Sequence, residues 1–147
     1  MINWQCKKFS ELTVAELYKI LQLRNEVFVV EQNCPYQDCD GKDLHSYHVT
    51  GLNDDKLIAY TRLLPPGISY PDAASIGRVL TSLSVRKQES GKQLMVYSLN
   101  KSYELFGNIK VIIGAQLYLT RFYESFHFKQ TGTVYLEDGI EHITMEK

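Results

Sequence analysis

The chain has 147 residues, of which 44% are hydrophobic and 22% are charged, and a formal net charge of −1. This size and composition favour a globular protein with one domain over residues 1–147. The near-zero charge gives no general attraction to nucleic acid or to a membrane surface, and no apolar run has the length of a membrane-spanning helix. Because no signal peptide is recognisable, the sequence predicts a cytoplasmic protein.

The cysteines predict neither a disulfide framework nor a metal site. Their number, three, is odd, and a chain of this length can fold without covalent cross-links. Cys34, Cys39, His45 and His48 follow a C-x4-C-x5-H-x2-H spacing, which differs from the standard spacings of structural zinc sites. We therefore expect no bound metal.

The N-terminal part of the chain predicts a strand followed by a helix. Apolar and polar residues alternate from Ile2 to Cys6, which is typical of a strand with one buried face. Thr13 and Glu16 then form the pattern of a capping box, and apolar residues recur at helical spacing to about Val29.

The rest of the chain alternates between strands and helices after an aspartate-rich loop at 33–43. The predicted strands are 47–49, 57–64, 75–85, 111–115, 129–136 and 142–145, and the predicted helices are 91–106 and 117–126. Polar turns predict two β-hairpins, the second because Asp138-Gly139 is a strong turn signal. The continuous apolar run at 111–115 is typical of a strand buried on both faces. This order predicts an α/β (α+β) fold: a single mixed, mostly antiparallel sheet of about six to seven strands with helices on both faces.

The stretch Val79–Met95 carries the clearest functional signal in the sequence. An apolar, β-branched run breaks into a short polar loop that opens a helix, so several backbone N–H groups point at one spot. Such an arrangement binds phosphate groups, and the basic residues Arg86, Lys87 and Lys92 suit a pyrophosphate. The alternative is an ordinary helix start whose basic residues are only solvated.

Two segments in this order resemble the GCN5-related N-acetyltransferases. In the first, Arg86-x-x-Glu89-x-Gly91 aligns with the R-x-x-G-x-G/A loop that holds the pyrophosphate of coenzyme A in that family. In the second, at 114–128, Tyr123 aligns with a helix tyrosine of the family. The stretches 24–40, 76–79 and 138–143 are similar to the ElaA-type branch, so the resemblance covers nearly the whole chain.

The chain departs from the family pattern at Glu89 and at His127, which stand where the family has glycine. A carboxylate beside a pyrophosphate would repel it, so we expect the Glu89 side chain to point to solvent.

The resemblance implies the acyl-CoA N-acyltransferase fold, acetyl-CoA as the acyl donor and transfer of the acetyl group to a primary amine of a small molecule or peptide. Direct attack by the amine is expected because no cysteine lies in a nucleophile motif, and Cys34 as an alternative acyl carrier has no obvious base. The family splays the strand at 79–82 from its neighbour, so that a free N–H near Leu80 or Thr81 bonds the thioester oxygen; a plain core strand is the alternative. A homodimer is an assembly that the resemblance allows.

The residues implied to bind the donor lie in three segments. They are Val79, Leu80, Thr81, Arg86, Lys87, Gln88, Glu89, Ser90, Gly91, Lys92, Gln116 and Tyr123. Backbone N–H groups of residues 88–92 would hold the pyrophosphate, and Gln116 takes the position that bonds the pantetheine arm in the family.

Tyr123 is the expected general acid, because a phenol can protonate a departing thiolate. It follows Gln116 by about two helical turns, which predicts that the two side chains share a helix face. The alternative role for Tyr123 is packing. Glu31, His48 and His142 are the candidate general bases, although a histidine is often structural and Glu31 could be solvated or paired with Arg24.

The residues expected to bind the acceptor are Arg24, Tyr36, Arg62 and Arg78. Arg62 and Arg78 lie inside predicted strands among apolar neighbours, where a charge needs a partner or faces a cleft. With Asp40 and Asp43 nearby, they would either bind a carboxylate or phosphate of the acceptor or form internal salt bridges.

Two other functions remain open from the sequence. One is a coenzyme-A-binding sensor without turnover, which the departures at Glu89 and His127 motivate. The other is an acyltransferase with a longer acyl donor, as in the related acyl-homoserine-lactone synthases.

Overall fold

The computed structural model describes residues 1–147 and contains eight strands, three α-helices and a π-helical segment. The strands are β1 (Asn3–Lys8), β2 (Tyr47–Asn53), β3 (Lys56–Leu64), β4 (Ser75–Thr81), β5 (Ile112–Gln116), β6 (Lys129–Gln130), β7 (Tyr135–Glu137) and β8 (Ile140–Glu146). The helices are α1 (Val14–Arg24), α2 (Ser90–Phe106) and α3 (Thr120–Glu124), and the π segment (Asn25–Glu31) continues α1. None of the helices has the length and apolarity needed to cross a membrane.

The strands form two antiparallel sheets instead of the single sheet that the sequence predicts. The first has the order β1-β2-β3-β4, and the second has the order β5-β8-β6, with β7 also paired to β8. One parallel bridge between Ala74 and Val111 joins them, where the Ile112 N–H donates to the Ala74 carbonyl at 2.9 Å. Beyond this bridge β4 and β5 make no ladder, so their facing edges are open. The predicted α/β class with helices on both faces is confirmed.

A β-bulge in β4 bends the strand next to this opening. The register between β3 and β4 shifts between Tyr60 and Arg62, so that Arg78 and Val79 together face Thr61. Arg78, the first of the two bulged residues, takes the left-handed conformation of the G1 type of bulge, with φ of 50°. Since a bulge increases local twist, it accounts for β4 leaving the direction of β5.

Two apolar clusters cover the two faces of the first sheet. The larger cluster lies under α2 and α3 and includes Leu94, Met95 and Phe128. The smaller lies under α1 and the π segment and includes Ile20 and Tyr60.

Several predicted element boundaries are wrong for local reasons. The helix predicted to about Val29 is α-helical only to Arg24, although its capping box between Thr13 and Glu16 forms as predicted. The strand predicted to residue 85 ends at Thr81, because the Ser82 hydroxyl accepts the Ser84 N–H and starts a 3-10 turn. The helix predicted at 117–126 is a 3-10 turn followed by the short α3.

Strand β5 is buried on only one face, contrary to the prediction. Ile113 and Ala115 lie in the core, whereas Gly114 is exposed between them. The second face opens to the gap because the sheets diverge there. The hairpin turn predicted at Asp138-Gly139 is confirmed, with both residues at positive φ.

A buried ionic network holds the loop at 33–43 against the first sheet. Arg24 is fully buried and donates from Nε to Asp38 at 2.8 Å and from Nη1 to Asp43 at 2.8 Å. Its Nη2 also donates to the backbone carbonyl of Asp38 at 3.1 Å. Burial by itself would raise the pKa of Asp43, but the hydrogen bond and charge of Arg24 hold it below its usual range.

Two strand arginines complete the network. Arg62 binds both carboxylate oxygens of Asp40, at 2.8 and 2.7 Å, and also reaches Asp43 at 3.1 Å. Arg78 donates from Nε to the Asp38 carboxylate at 2.8 Å. Three aspartates of one loop therefore bind arginines from α1, β3 and β4.

We expect Arg24→Met to destabilise the protein strongly, because it removes one of the two arginine partners of each buried carboxylate, Asp38 and Asp43. Breaking a buried pair in this way costs about 3–5 kcal/mol. Urea denaturation measures the loss. Arg121→Met, at an exposed position without an ion pair, is the control and should stay within about 0.5 kcal/mol of wild type. A loss for Arg24→Met no larger than that of the control contradicts the role assigned to the network.

Candidate active site

A cleft of about 1040 Å³ opens where β4 and β5 diverge. Its walls come from β4, β5, the π segment, the loop before α2 and the β7–β8 hairpin. Most residues that the sequence assigned to a site line it: Glu31, Tyr36, Arg62, Arg78, Val79, Leu80, Thr81, Arg86, Lys87, Glu89, Ser90, Gly91, Lys92, Gln116, Tyr123 and His142. Three assigned residues, Arg24, His48 and Gln88, are not part of its wall.

The loop before α2 presents a row of unpaired backbone donors at one end of the cleft. None of the N–H groups from Lys87 to Lys92 donates a hydrogen bond within the chain. Lys87 and Glu89 both have positive φ, which curls the loop so that successive N–H groups converge. The N-terminus of the 17-residue helix α2 adds its partial positive charge at the same place. This end of the cleft therefore fits a phosphate-bearing group.

Two side chains at the ends of this loop are already engaged. The Arg86 guanidinium donates to the Thr81 carbonyl, with Nη2 at 2.9 Å, and forms an ion pair with Glu31. Glu31 is thus paired with Arg86 and not with Arg24. The buried Ser90 hydroxyl donates to the Val85 carbonyl at 2.9 Å and fixes the start of α2.

The two departures from glycine occur at left-handed backbone positions. Glu89 has φ of 64° and His127 has φ of 72°, a region that glycine adopts without strain. The Glu89 side chain is 71% exposed and lies 3.8 Å from Lys92, so it points to solvent as expected.

The end of β4 presents a free backbone N–H to the cleft. The Ser82 N–H donates to the Ile58 carbonyl of β3 at 2.8 Å. Because an antiparallel ladder alternates, Thr81 directs its own N–H and carbonyl away from β3. Its carbonyl accepts from Arg86, and its N–H faces the open edge.

Tyr123 and Gln116 both line the cleft but do not share a helix. Tyr123 is buried on α3, its hydroxyl has no partner in the chain, and burial raises its pKa. Gln116 is the last residue of β5, so the predicted common helix face is wrong. Its amide pairs with that of Gln32, at 3.4 Å in both directions, across the cleft.

The three candidate bases have different surroundings. His48 is buried, with Nδ1 2.6 Å from the Tyr60 hydroxyl and Nε2 2.9 Å from the Asp43 carbonyl. Both ring nitrogens are occupied, and burial lowers its pKa. His48 is therefore structural, which corrects its assignment as a base.

His142, by contrast, borders the cleft with a ring nitrogen available. Its Nδ1 lies 2.7 Å from the Ile140 carbonyl, which can only accept, so Nδ1 carries a proton and the neutral form of the ring has its lone pair on Nε2. The ring stacks on Tyr135 at 5.7 Å, and Nε2 lies 3.5 Å from Glu137.

Arg24 has no exposed surface, so its assignment to acceptor binding is corrected to a structural role. Tyr36, Arg62 and Arg78 do line the cleft. The Arg78 guanidinium lies 5.6 Å from the centre of the Tyr36 ring, and the Tyr36 hydroxyl donates to Asp38 at 3.0 Å.

Sequence reasoning missed several residues of the cleft wall, among them Gln32, Lys42 and Tyr135. The structure explains the glycine at 114, because a Cβ there would lie 2.7 Å from the Tyr135 hydroxyl, but the sequence does not indicate which side chain requires it. No local pattern indicated that Gln32 faces Gln116.

The cysteines of the C-x4-C-x5-H-x2-H stretch lie in separate environments. Cys34 is buried, with its thiol 3.2 Å from the Asp138 carbonyl, and Cys39 is exposed. No group of three or more His, Cys, Asp or Glu side chains could hold a metal ion.

Comparison with known proteins finds close relatives over the full chain. Residues 12–147 match the model of the family described as Acetyltransferase (GNAT) domain. The protein ElaA of Escherichia coli is 46% identical, covering 100% of this chain and 97% of that protein, and its crystal structure superposes with a TM-score of 0.93, at 45% identity over 100% and 99% of the two chains. The crystal structure of an acyl-CoA N-acyltransferase from Pseudomonas aeruginosa has a TM-score of 0.95 at 43% identity, covering 100% of this chain and 99% of that one.

We expect Glu89→Gly to stabilise the fold. A side chain in the left-handed region costs about 1–2 kcal/mol, and the greater freedom of glycine in the unfolded chain offsets about 0.5–1 kcal/mol of the gain. The net increase in unfolding free energy should be about 0.5–1 kcal/mol by urea denaturation. The matched control is Glu104→Gly, an exposed residue of α2, which should lose up to about 1 kcal/mol. If both variants lose stability equally, Glu89 is not strained.

Proposed function

Because the chain belongs to the GNAT acetyltransferase family, we propose that it is an N-acetyltransferase that uses acetyl-CoA and acetylates a primary amine. The amine belongs to a small molecule or a peptide, and residues 1–147 act as one catalytic domain. The observation that carries the proposal is the row of unpaired N–H groups from Lys87 to Lys92 at one end of the cleft. Backbone donors at a helix N-terminus suit the pyrophosphate of coenzyme A.

The basic side chains of this loop have separate roles in the proposal. Lys87 and Lys92 remain available to the phosphates, because Lys92 has only a 3.8 Å contact with Glu89. Arg86 supports the site indirectly, since it ties the loop to the Thr81 carbonyl and to Glu31.

The thioester carbonyl would be held by the free N–H of Thr81. That donor is fixed by the ladder between β3 and β4, so it needs no reorganisation when charge develops on the oxygen. Val79 and Leu80 precede Thr81 on the same open edge of β4 and would support the extended pantetheine arm of acetyl-CoA. Gln116 would exchange its bond to Gln32 for an amide of that arm.

The transfer then needs one proton removed and one supplied. As the amine nitrogen bonds to the acyl carbon and the C–S bond breaks, His142 Nε2 accepts the amine proton, directly or through water. Tyr123 donates its phenolic proton to the departing sulfur; burial raises its pKa, so the phenol stays protonated until the thiolate forms. Glu31 is a weaker candidate for the base because Arg86 already pairs with it.

Calorimetric titration with coenzyme A and acetyl-CoA, together with a thiol-release assay over a panel of primary amines, tests this function. We expect binding of both ligands and amine-dependent release of thiol. Binding without release for any amine supports a sensor, and release only with longer acyl-CoA donors supports a different acyltransferase. If neither ligand binds, the assignment of the loop to coenzyme A is wrong.

Tyr123→Phe should lower kcat by about 100-fold while the Kd for acetyl-CoA changes little, since a general acid contributes about 10²–10⁴ to rate. The steady-state rate of thiol release and calorimetry give the two quantities. Tyr103→Phe removes a hydroxyl from a partly buried tyrosine outside the cleft and serves as the control. Equal rates for Tyr123→Phe and wild type exclude the acid role.

A further inference from the structure

One end of the cleft, formed by Lys42, Arg62 and Arg78, has more positive side chains than carboxylates. With Arg24 beneath them, three arginines lie against the three carboxylates of Asp38, Asp40 and Asp43, and Lys42, whose Nζ binds Ser69, adds a fourth positive charge that no carboxylate pairs with. One positive charge is left over, and it borders an open cavity.

The hydrogen-bonding partners of Arg78 show which donors remain. Its Nε and Nη2 donate to the carboxylate and carbonyl of Asp38, at 2.8 and 2.9 Å, and Nη2 lies 3.5 Å from Asp40. Its Nη1 has no partner, although the side chain is only 21% exposed and borders the cleft. Arg78 therefore presents unused, charge-assisted donors in a fixed orientation, since Asp38 and the Tyr36 ring hold the guanidinium.

Arg62 and Lys42 add further unused donors beside it. Arg62 is 96% buried by residue surface, and its Nε is a buried nitrogen without any partner. Lys42 Nζ makes one hydrogen bond, to Ser69 at 3.0 Å, and Lys42 also lines the cleft, while its backbone N–H binds the same Asp40 carboxylate as Arg62. An unpaired buried donor is unfavourable, and together with the free Nη1 of Arg78 it shows that this cluster holds more donors than acceptors.

The nearby carboxylates cannot supply that acceptor. Both oxygens of Asp40 bind Arg62, and one also accepts the Lys42 N–H at 3.0 Å. Asp38 and Asp43 are buried and shared between two arginines each.

We propose that the amine acceptor of this protein carries an anionic group, a carboxylate or a phosphate, which Arg78 Nη1 binds with help from Lys42. This inference rests on the proposed acetyltransferase function, because it assigns the substrate class of the same cleft. Arg62 and Tyr36 are positioning residues: Arg62 fixes Asp40, and Tyr36 supports the Arg78 guanidinium. The anion at this end and the Thr81 N–H, three positions along β4, would orient the amine toward the thioester.

The test compares matched amines that differ only in the anionic group: glycine with glycinamide, β-alanine with β-alaninamide, and O-phosphoethanolamine with ethanolamine. We measure kcat/KM for acetylation of each by wild type, Arg78→Gln, Lys42→Gln and the control Arg121→Gln, which changes an exposed arginine outside the cleft. The members of a pair also differ in amine basicity. We therefore compare the ratio of kcat/KM for the anionic amine to kcat/KM for the neutral amine between wild type and variant. The difference in basicity affects this ratio equally in both proteins and cancels.

We expect Arg78→Gln to lower the ratio of anionic to neutral amine by about tenfold or more in at least one pair, as loss of a charge-assisted bond requires. Lys42→Gln should lower it less, and Arg121→Gln should leave it unchanged. The pairs also show which anionic group the site binds, since a carboxylate site responds to glycine and β-alanine and a phosphate site to O-phosphoethanolamine. Activity toward the neutral amines in each variant reports that the enzyme is still folded.

Ratios that are unchanged in both Arg78→Gln and Lys42→Gln overturn the proposal while leaving the acetyltransferase intact. Calorimetry with the same amines, in the presence of coenzyme A, provides a readout independent of turnover. If no amine is acetylated but the anionic members alone bind wild type, and bind Arg78→Gln more weakly, the anion site stands and the enzymatic function fails. If no anionic amine binds or reacts in preference to its neutral partner, the anion site is wrong.

Discussion

The buried pairing of Arg24 with Asp38 and Asp43 is the interaction on which the site depends. It fastens the loop at 33–43 to the end of α1, and that loop in turn supplies the carboxylates that orient Arg62 and Arg78. Buried ion pairs often add little net stability, because desolvation opposes the attraction. Their effect here is geometric, because they hold two guanidinium groups in one orientation at the wall of a cleft. Arginine side chains without such partners would sample many orientations.

The second requirement is the divergence of the two sheets. A continuous sheet would pair every backbone group of β4, whereas the bulge at Arg78 and the single bridge at Ala74 leave one edge open. The resulting cleft brings together backbone donors and a few side chains from distant parts of the chain. Much of its chemistry therefore comes from the main chain, which leaves little trace in residue identity.

Local signals in the sequence predicted local structure well. The capping box at Thr13, the Asp138-Gly139 turn and the loop of unpaired N–H groups after Val85 all depend on neighbouring residues, and each forms. The family resemblance, including its ElaA-type branch, is confirmed by full-length relatives.

Features that depend on distant contacts could not be predicted in the same way. His48 and His142 both lie on predicted strands, so they have equal standing as bases in the sequence. In the structure His48 is bonded on both ring nitrogens, to Tyr60 and Asp43, whereas His142 borders the cleft. The prediction of a single sheet is wrong because the split depends on the bulge in β4, which forms only when β4 pairs with β3. The partners of Arg24 could not be predicted from its helix, because they lie in a loop that comes later in the chain.

The π segment after α1 sets the direction in which the side chains at the end of this helix point. In a continuous α-helix, Glu31 would lie within about 20° of Arg24, seven residues earlier, and would share its fully buried face. The wider π turns rotate Glu31 and Gln32 away from that face, so that they meet Arg86 and Gln116. Loss of a single residue from Asn25–Glu31 would restore the α-helical phase and separate both pairs together. The length of this segment, more than the identity of its residues, thus determines which side chains span the cleft.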